Sequence, residues 1–232
     1  MADNRASPDL HPASRPDSDS DALLDALYDA VLDGSRPAAV RSVEQLIAAG
    51  VEPDKILYQG MIPAMNEVGR LFEQGEVFVP EMLVSAHAMK GGMELLQPLL
   101  ENTDVKPIAK VVMGTVQGDV HDIGKNLAIM MLKGAGFEVI DLGVNVPPVR
   151  FVEAAADGAA VVGMSALLTT TMPNMKVTID HFVAAGIREQ VKIIVGGAPV
   201  TQEFAAEIGA DGYGANANQA VTLAKALLGV AV

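Results

Sequence analysis

Two residues that could form a metal site or act in general-base catalysis lie close together near the middle of the chain. Asp119 and His121 are separated by one residue in the stretch GDVHDIGKN, between Gly118 and Gly124. A carboxylate that accepts the Nδ1–H of an imidazole fixes the tautomer of the ring and leaves Nε2 free. The pair therefore indicates either metal ligation or proton transfer by His121.

The rest of this loop suits a large ligand. Gly124 would let the backbone come close to such a ligand, and Asp122 is a candidate N-cap for the helix that follows. Surface loops can carry the same pattern, since D-x-H-x-x-G is expected by chance in roughly one chain in fifty of this length. The motif alone does not decide the function.

Two further polar segments each follow a predicted strand. MSALLTTTMPNM contains Ser165, Leu167 and the threonines at 169–171, and VGGAPV contains the glycine pair at 196–197. Threonine runs also cap helices, and glycine pairs also make turns. Three such segments, each at the end of a parallel strand, together favour a shared binding edge.

Hydrophobic patterning divides the chain into two parts, which together must position these loops. From Ser20 to about Asn102 the apolar residues repeat with a helical period, in four segments separated by short turns with glycines at 34, 50 and 75. This pattern predicts an antiparallel four-helix bundle. After ENTDVKP, five short apolar runs alternate with helical segments: AKVVMGTV, FEVIDLG, AAVVGMSAL, VKIIVGG and ADGYG.

This alternation predicts an α/β domain of the flavodoxin-like, doubly wound type, with a five-stranded parallel sheet. The N-terminal four-helix bundle would form a cap on this domain. In that fold, ligands bind beyond the C-terminal strand ends, at the switch point next to the first strand. His121 lies just past the first predicted strand, so the sequence places it at the binding edge.

Composition excludes several classes of function. The 232 residues include no cysteine, which rules out disulfides, thiolate zinc sites, Fe–S clusters and a cysteine nucleophile within the chain. The net charge of −13 argues against a nucleic-acid surface. No run of eighteen apolar residues and no secretory signal is visible, so we expect a cytoplasmic protein without a membrane span.

The three loop motifs together resemble the D-x-H-x-x-G…S-x-L…G-G signature of cobalamin-binding domains of the methionine synthase type. MNEVGRLFEQGEVFVPEML, residues 65–83, resembles the helical cap that precedes that domain in methionine synthase and in corrinoid proteins of methylamine, methanol and methoxyaryl methyltransferase systems. The likeness extends from about residue 20 to the C-terminus. Residues 1–18 contain almost nothing apolar, so we expect a disordered tail there. The rest divides into a helical-bundle cap (19–102), a linker (103–108) and, by the resemblance, a cobalamin-binding domain (109–232).

By this resemblance, His121 is the lower axial ligand of cobalt in place of the dimethylbenzimidazole of the cofactor. Asp119 would hold His121, and Thr171 would complete the relay at a position where the family often has Ser. The resemblance and the loop positions give these cofactor-binding residues: Gly118, Asp119, Val120, His121, Asp122, Ile123, Gly124, Ser165, Leu167, Thr169, Gly196, Gly197, Gly214, Ala215 and Ala217.

The upper face of the cofactor needs a cover that protects the reduced metal from oxidation. We predict that it comes from the fourth helix and its lead-in, through Phe78, Met82, Leu83 and Met89. For each methionine, a place in the bundle core is an equally good interpretation.

The resemblance implies a corrinoid methyl carrier, holding cobalamin or a related corrinoid as methylcobalamin and cob(I)alamin. Such a chain is a non-autonomous component of a methyltransferase system, and whether to class it as an enzyme stays open. Its partners would be a substrate-specific methyltransferase of barrel fold, a second methyltransferase that acts on the methyl acceptor, and a reductive-activation protein, with no nucleic acid and no membrane.

Two alternatives remain. A cobalamin-dependent sensor or regulator shares the cap and signature, but it calls for a basic DNA-binding segment and, in light sensors, a tryptophan; this chain is acidic and has no tryptophan. The small subunit of an adenosylcobalamin mutase shares only the sheet domain.

Overall fold

The structure, a computed structural model, describes residues 16–100 and 106–230. The predicted tail up to residue 15 and linker residues 103–105 lie outside the described residues. Residues 16–18, also assigned to the tail, instead begin the first helix at Pro16. The reason is local: proline suits the first turn of a helix because its missing N–H would have no partner there.

The N-terminal part is a helical bundle, as predicted. Its elements are α1 (Pro16–Leu32), α2 (Arg36–Ala48), α3 (Pro53–Lys55), a π-helical segment (Ile56–Met61), α4 (Ile62–Glu73) and α5 (Val79–Leu100). The segment from α3 through the π-helical turns to α4 runs without a break, so four long helical rods result. Gly75, after α4, has a positive φ of 73°, a conformation that glycine adopts without strain.

The C-terminal part is the predicted doubly wound α/β domain. Its strands are β1 (Lys110–Thr115), β2 (Glu138–Asp141), β3 (Val161–Ser165), β4 (Lys192–Gly196) and β5 (Gly212–Gly214). The helices between and after them are α6 (Ile123–Gly134), α7 (Pro148–Ala156), α8 (Pro173–Ala184), a 3₁₀ turn (Arg188–Gln190), α9 (Gln202–Ile208) and α10 (Ala217–Leu227). All strands are parallel in the order β2-β1-β3-β4-β5, the flavodoxin-like order with its switch point beside β1.

The strand register places the ends of four strands in one row. Thr115 pairs with Ser165, Ser165 with Gly196, and Gly196 with Gly214. Because parallel strands all point the same way, the loops that follow these residues leave the sheet at a single edge. The three motifs that the sequence analysis singled out are thereby brought together.

The two faces of the sheet belong to different cores. One core joins the bundle to α6, α10 and one sheet face, through residues such as Met65, Leu132 and Val221. The other core lies under α7, α8 and α9, around Phe151 and Phe182. The bundle is therefore packed on the α6–α10 side, next to the sheet edge. No helix among the described residues is long and apolar enough to cross a membrane.

Candidate functional site

The carboxylate of Asp119 is the centre of the polar network at this edge. Its side chain is fully buried, and five donors converge on it. Oδ1 accepts from the backbone N–H of His121 at 3.0 Å and lies 2.7 Å from Nδ1 of the same residue. Oδ2 accepts from the N–H groups of Leu167 at 2.8 Å and Leu168 at 3.3 Å. The Thr171 hydroxyl lies 2.7 Å from Oδ2, within reach to donate to it.

These bonds set the charge of Asp119. Burial alone would raise the pKa of the carboxyl, but the backbone amides of His121 and Leu167 and the side chains of Thr171 and His121 outweigh it. They hold the pKa of Asp119 well below its usual range. An ionised carboxylate can only accept hydrogen bonds, so Nδ1 of His121 must carry the proton in their shared bond.

His121 is fixed at its backbone and open at its ring. Its carbonyl accepts from the buried Thr115 hydroxyl at 2.9 Å, and its side chain remains 46% exposed. Among the described residues, no group forms a hydrogen bond with Nε2. With Nδ1 occupied by Asp119, the arrangement leaves Nε2 available as a metal ligand or a base.

A cavity of about 640 Å³ lies beside His121 at the C-terminal edge of the sheet. Most of the predicted cofactor-binding residues line it: Val120, His121, Asp122, Ile123, Gly124, Ser165, Leu167, Gly196, Gly197, Gly214, Ala215 and Ala217. Gly118, Asp119 and Thr169 lie outside this lining, and Asp119 and Thr171 stand behind His121 as buried support. Asp122 occupies the N-cap position of α6, yet its carboxylate accepts from the Asn126 side chain rather than from a helix amide.

The glycine pair at the end of β4 is required by the backbone as well as by the cavity. A Cβ at Gly197, where φ is 131°, would lie 1.8 Å from the carbonyl oxygen of Ala166. A Cβ at Gly196 would lie 2.9 Å from the carbonyl oxygen of Gly214. Larger residues here would therefore disturb the sheet itself, in addition to any ligand.

The residues predicted to cover the cofactor lie in different environments. Phe78 is 62% exposed just before α5, and Leu83 is exposed on that helix, whereas Met82 and Met89 are buried in the bundle core. None of the four is among the described residues that line the sheet-edge cavity. Leu83 and Met89 instead line a cavity of about 1010 Å³ between α5 and α6.

Phe72, at the end of α4, does line the sheet-edge cavity, although it is not among the residues predicted for the site. It belongs to the cap stretch already singled out, but nothing in its helical spacing separates it from a core residue. Met113 and Gly163, from the interior of β1 and β3, also line the cavity and were missed because their strands read as uniformly buried.

Comparison with known proteins identifies the family of the chain. Two models described as B12 binding domain match residues 109–222 and 23–97. The chain is 44% identical over 199 residues to trimethylamine corrinoid protein 1 of Methanosarcina acetivorans, covering 84% of this chain and 92% of that protein. It is 45% identical to dimethylamine corrinoid protein 1 of the same organism, covering 82% and 90%. This chain is a corrinoid protein of the methyltransferase-system family.

Solved structures agree with this assignment. The corrinoid protein resembles the methanol:cobalamin methyltransferase complex of Methanosarcina barkeri with a TM-score of 0.82 at 29% identity, covering 97% of this chain and 88% of that one. It also resembles a cobalamin-binding protein of Desulfitobacterium hafniense with a TM-score of 0.74 at 31% identity, covering 88% and 98%. The predicted family, fold class and cofactor are thus confirmed.

The observed site fits cobalamin. A corrin already supplies four nitrogens to cobalt, so the protein needs to add one axial ligand and an open-sided pocket. His121 provides one imidazole with a free nitrogen beside a cavity, and no cluster of three or more His, Asp or Glu side chains suited to a metal ion occurs within residues 16–100 and 106–230. A single imidazole donor therefore suits a metal that a macrocycle already coordinates.

Proposed function

We propose that this corrinoid protein is a methyl carrier in which His121 is the lower axial ligand of cobalt. The observation that carries the proposal is the Asp119–His121 pair, in which a fully buried carboxylate with five donors holds Nδ1 and leaves Nε2 beside the sheet-edge cavity. Bound cobalamin supplies a cobalt centre that takes up and gives away a methyl group, chemistry that no side chain of the chain offers.

The residues of the chain bind, orient and tune. Asp119 keeps the His121 ring in one tautomer and one orientation, and Thr171 keeps Asp119 in place from the β3 side. An imidazole released from a metal can take a proton at Nε2, and the ionised Asp119 beside Nδ1 stabilises the resulting imidazolium. The pair can thus hold or return one proton whenever the bond between Nε2 and its metal changes.

The nucleotide tail of the cofactor is expected to enter between the ends of β3, β4 and β5. Ser165, Gly196 and Gly214 form a continuous row there, and all three line the cavity. Ala217, the first residue of α10, also lines this cavity, a few residues after the end of β5. The small side chains along this row leave room for a ligand to enter.

A block on this route gives a direct test of the tail site. Ala217→Leu places a larger side chain in the cavity at a helix position that accepts leucine, so it should reduce corrinoid uptake at least tenfold. Ala226→Leu, on the exposed side of the same helix, is the matched control and should bind as the unaltered chain does. Equal uptake by the two variants would show that the tail runs elsewhere.

The carrier role requires partners. We propose that a substrate-specific methyltransferase of barrel fold donates the methyl group, that a second methyltransferase removes it, and that a reductive-activation protein restores the reduced cofactor. The likeness to the chain in the methanol:cobalamin methyltransferase complex supports the first of these partners. Every described residue assigned to the site serves binding or orientation, which leaves substrate activation to the partners.

An assay with and without a partner methyltransferase tests whether the chain depends on partners for substrate activation. Reduced holoprotein is mixed with methylamines, methanol or methoxyarenes, first alone and then with a candidate methyltransferase for each substrate. We expect no methylation of the cofactor in the absence of a methyltransferase and rapid methylation with the matching one. Rapid methylation by the holoprotein alone would contradict the carrier proposal.

A further inference from the structure

Asn145, in the loop between β2 and α7, has an unusual backbone. Among the residues that the structure describes, it is the one non-glycine residue with a positive φ, of 52°. Asparagine tolerates this region better than most residues, but the conformation still costs free energy relative to the right-handed regions. Such a conformation persists where surrounding contacts determine it. Two hydrogen bonds join Asn145 to the loop that carries His121.

Asn145 bonds to that loop twice. Its side-chain Oδ1 accepts from the backbone N–H of Gly118 at 2.8 Å, and its own N–H donates to the carbonyl oxygen of Asp119 at 2.8 Å. The backbone on either side of the Gly118–Asp119 peptide is thereby tied to the end of β2. The positive φ allows one residue to direct both its side chain and its N–H at neighbouring peptide groups.

The Asp119 residue is therefore held from two sides. Its backbone is held from the β2 side by Asn145, and its carboxylate is held from the β3 side by Leu167 and Thr171. The β2 side and the β3 side meet at the switch point, where the cavity opens beside β1. Weakening the support on the β2 side would let the backbone at Gly118 and Asp119 shift while the carboxylate stayed bonded, which would turn the carboxylate relative to the ring of His121.

We infer that Asn145 is a positioning residue for the axial ligand, acting on His121 through the backbone of Gly118 and Asp119. The inference rests on the proposed ligation of cobalt by His121, and it adds a second support behind that ligand from a loop outside the three sequence motifs. Asn174 extends the same support toward the strand, since its side-chain N–H donates to the carbonyl oxygen of Gln117 at 2.7 Å.

Two substitutions separate positioning from general stability. Asn145→Gly keeps the backbone N–H bond to Asp119 and accepts the positive φ, so it removes only the acceptor for Gly118. Asn145→Asp keeps an acceptor oxygen at the same place and should act as the rescue. Thr201→Ala removes the N-cap of α9, on a loop whose described contacts do not reach Asp119, and controls for a general loss of stability near the sheet edge.

The first readout is the midpoint potential of the cobalt(II)/cobalt(I) couple in the holoprotein. His121 ligation should stabilise cobalt(II) over four-coordinate cobalt(I), so weaker ligation makes the potential more positive. The loss of one positioning hydrogen bond should weaken ligation about fivefold, which at 59 mV per tenfold change for one electron is about 40 mV. We expect this shift in potential for Asn145→Gly. We expect no such shift for Asn145→Asp or for Thr201→Ala. An unchanged potential in Asn145→Gly, or a shift in Asn145→Asp as large as in Asn145→Gly, would overturn the inference.

The second readout needs no cofactor. Amide hydrogen exchange at Gly118 in the corrin-free chain should be faster in Asn145→Gly and close to that of the unaltered chain in Asn145→Asp. If the unaltered holoprotein shows no histidine nitrogen on cobalt, the ligand assignment fails and the role of Asn145 toward the metal fails with it. If that nitrogen is present but Gly118 exchange is unchanged in Asn145→Gly, the ligand assignment stands and the positioning role is wrong.

Discussion

The loop between β1 and α6 and the contact between α4 and α10 are built by different means. In the loop, one buried carboxylate accepts from five donors. In the contact between the bundle and the sheet domain, Lys225 is buried, with 5% of the residue exposed, and the one hydrogen bond of its ammonium among the described residues goes to Asn66 at 3.2 Å. About two turns earlier on α10, Asn218 lies directly against Gly69.

The loop should stay fixed more firmly than the α4–α10 contact. Hydrogen bonds to an ionised group contribute about 1.5–3 kcal/mol each, more than neutral ones. A buried ammonium with a single neutral partner regains solvation when its surroundings open. We therefore expect the loop that carries Asp119 and His121 to stay fixed and the α4–α10 contact to open more readily. Exposure of a bound cofactor would follow from movement of the bundle rather than from movement of the loop.

The largest effect is expected where backbone packs on backbone at the rigid edge. Gly197→Ala forces a Cβ to within 1.8 Å of the Ala166 carbonyl oxygen at a φ of 131°, so we expect a loss of at least about 4 kcal/mol in the free energy of unfolding. Gly124→Ala is the control, because a Cβ there meets nothing within 4 Å although Gly124 lines the same cavity. Urea unfolding measures both, and similar stability for the two variants would contradict the packing described at the edge.

Asp119→Asn should cost about 3 kcal/mol, because an amide offers one acceptor oxygen where five donors converge. The pH dependence sharpens the test. The pKa of Asp119 is lower in the folded chain than in the unfolded chain, so its contribution is complete above the unfolded pKa and is lost as the pH falls through the folded value. The corrin-free variant should therefore lose less stability than the unaltered chain between pH 5 and the folded pKa. An equal acid slope in both chains would show that Asp119 is not the group that titrates.

The contact between α4 and α10 should respond more weakly. Gly69→Ala places a Cβ 1.9 Å from Oδ1 of Asn218, and we expect a loss of about 1–2 kcal/mol as the side chain is displaced. Asn218→Ala removes the obstruction, so the double variant should recover most of the loss that Gly69→Ala causes. Additive effects in this double-mutant cycle would mean that the two residues do not meet.

Lys225→Met should give the smallest change in the free energy of unfolding, and it should stabilise the chain where the other substitutions destabilise it. It replaces a buried ammonium by an apolar chain of similar length, and we expect a gain of about 1 kcal/mol in the free energy of unfolding. Burial lowers the pKa of Lys225, so the unaltered chain gains stability as the pH rises through that pKa, and the variant should lack this gain. Destabilisation by Lys225→Met at neutral pH would show that the ammonium strengthens the contact.

Much of this architecture could be predicted from sequence because local patterns determine it. The helical period before Asn102 and the five apolar runs after Pro107 specify a bundle and a parallel sheet, and the family resemblance adds the cofactor. His121 and Asp119 could be paired because they are two residues apart, and the contact between them in the structure is local.

Contacts between distant segments could not be predicted in the same way. Phe72 reaches the sheet-edge cavity only because α4 packs beside α10, and Asn145 reaches Gly118 only because β2 pairs with β1. Neither residue has a spacing that sets it apart from an ordinary helix or loop residue. The four predicted cover residues do not line the sheet-edge cavity, and two of them line another cavity instead. A helical stripe in the sequence does not specify which cavity its side chains will line.

The proposal that His121 ligates cobalt is tested most directly by isotope labelling of histidine. The chain has four histidines, and the dimethylbenzimidazole of the cofactor would carry no label. The holoprotein is prepared with ¹⁵N-histidine, reduced to the cobalt(II) form and measured by electron paramagnetic resonance, beside unlabelled protein and His121→Ala. Ligation by His121 predicts that each triplet splitting from ¹⁴N becomes a doublet in the labelled protein and that this splitting is lost in His121→Ala. A triplet that persists in the labelled protein would show that the nitrogen comes from the cofactor and would contradict the assignment.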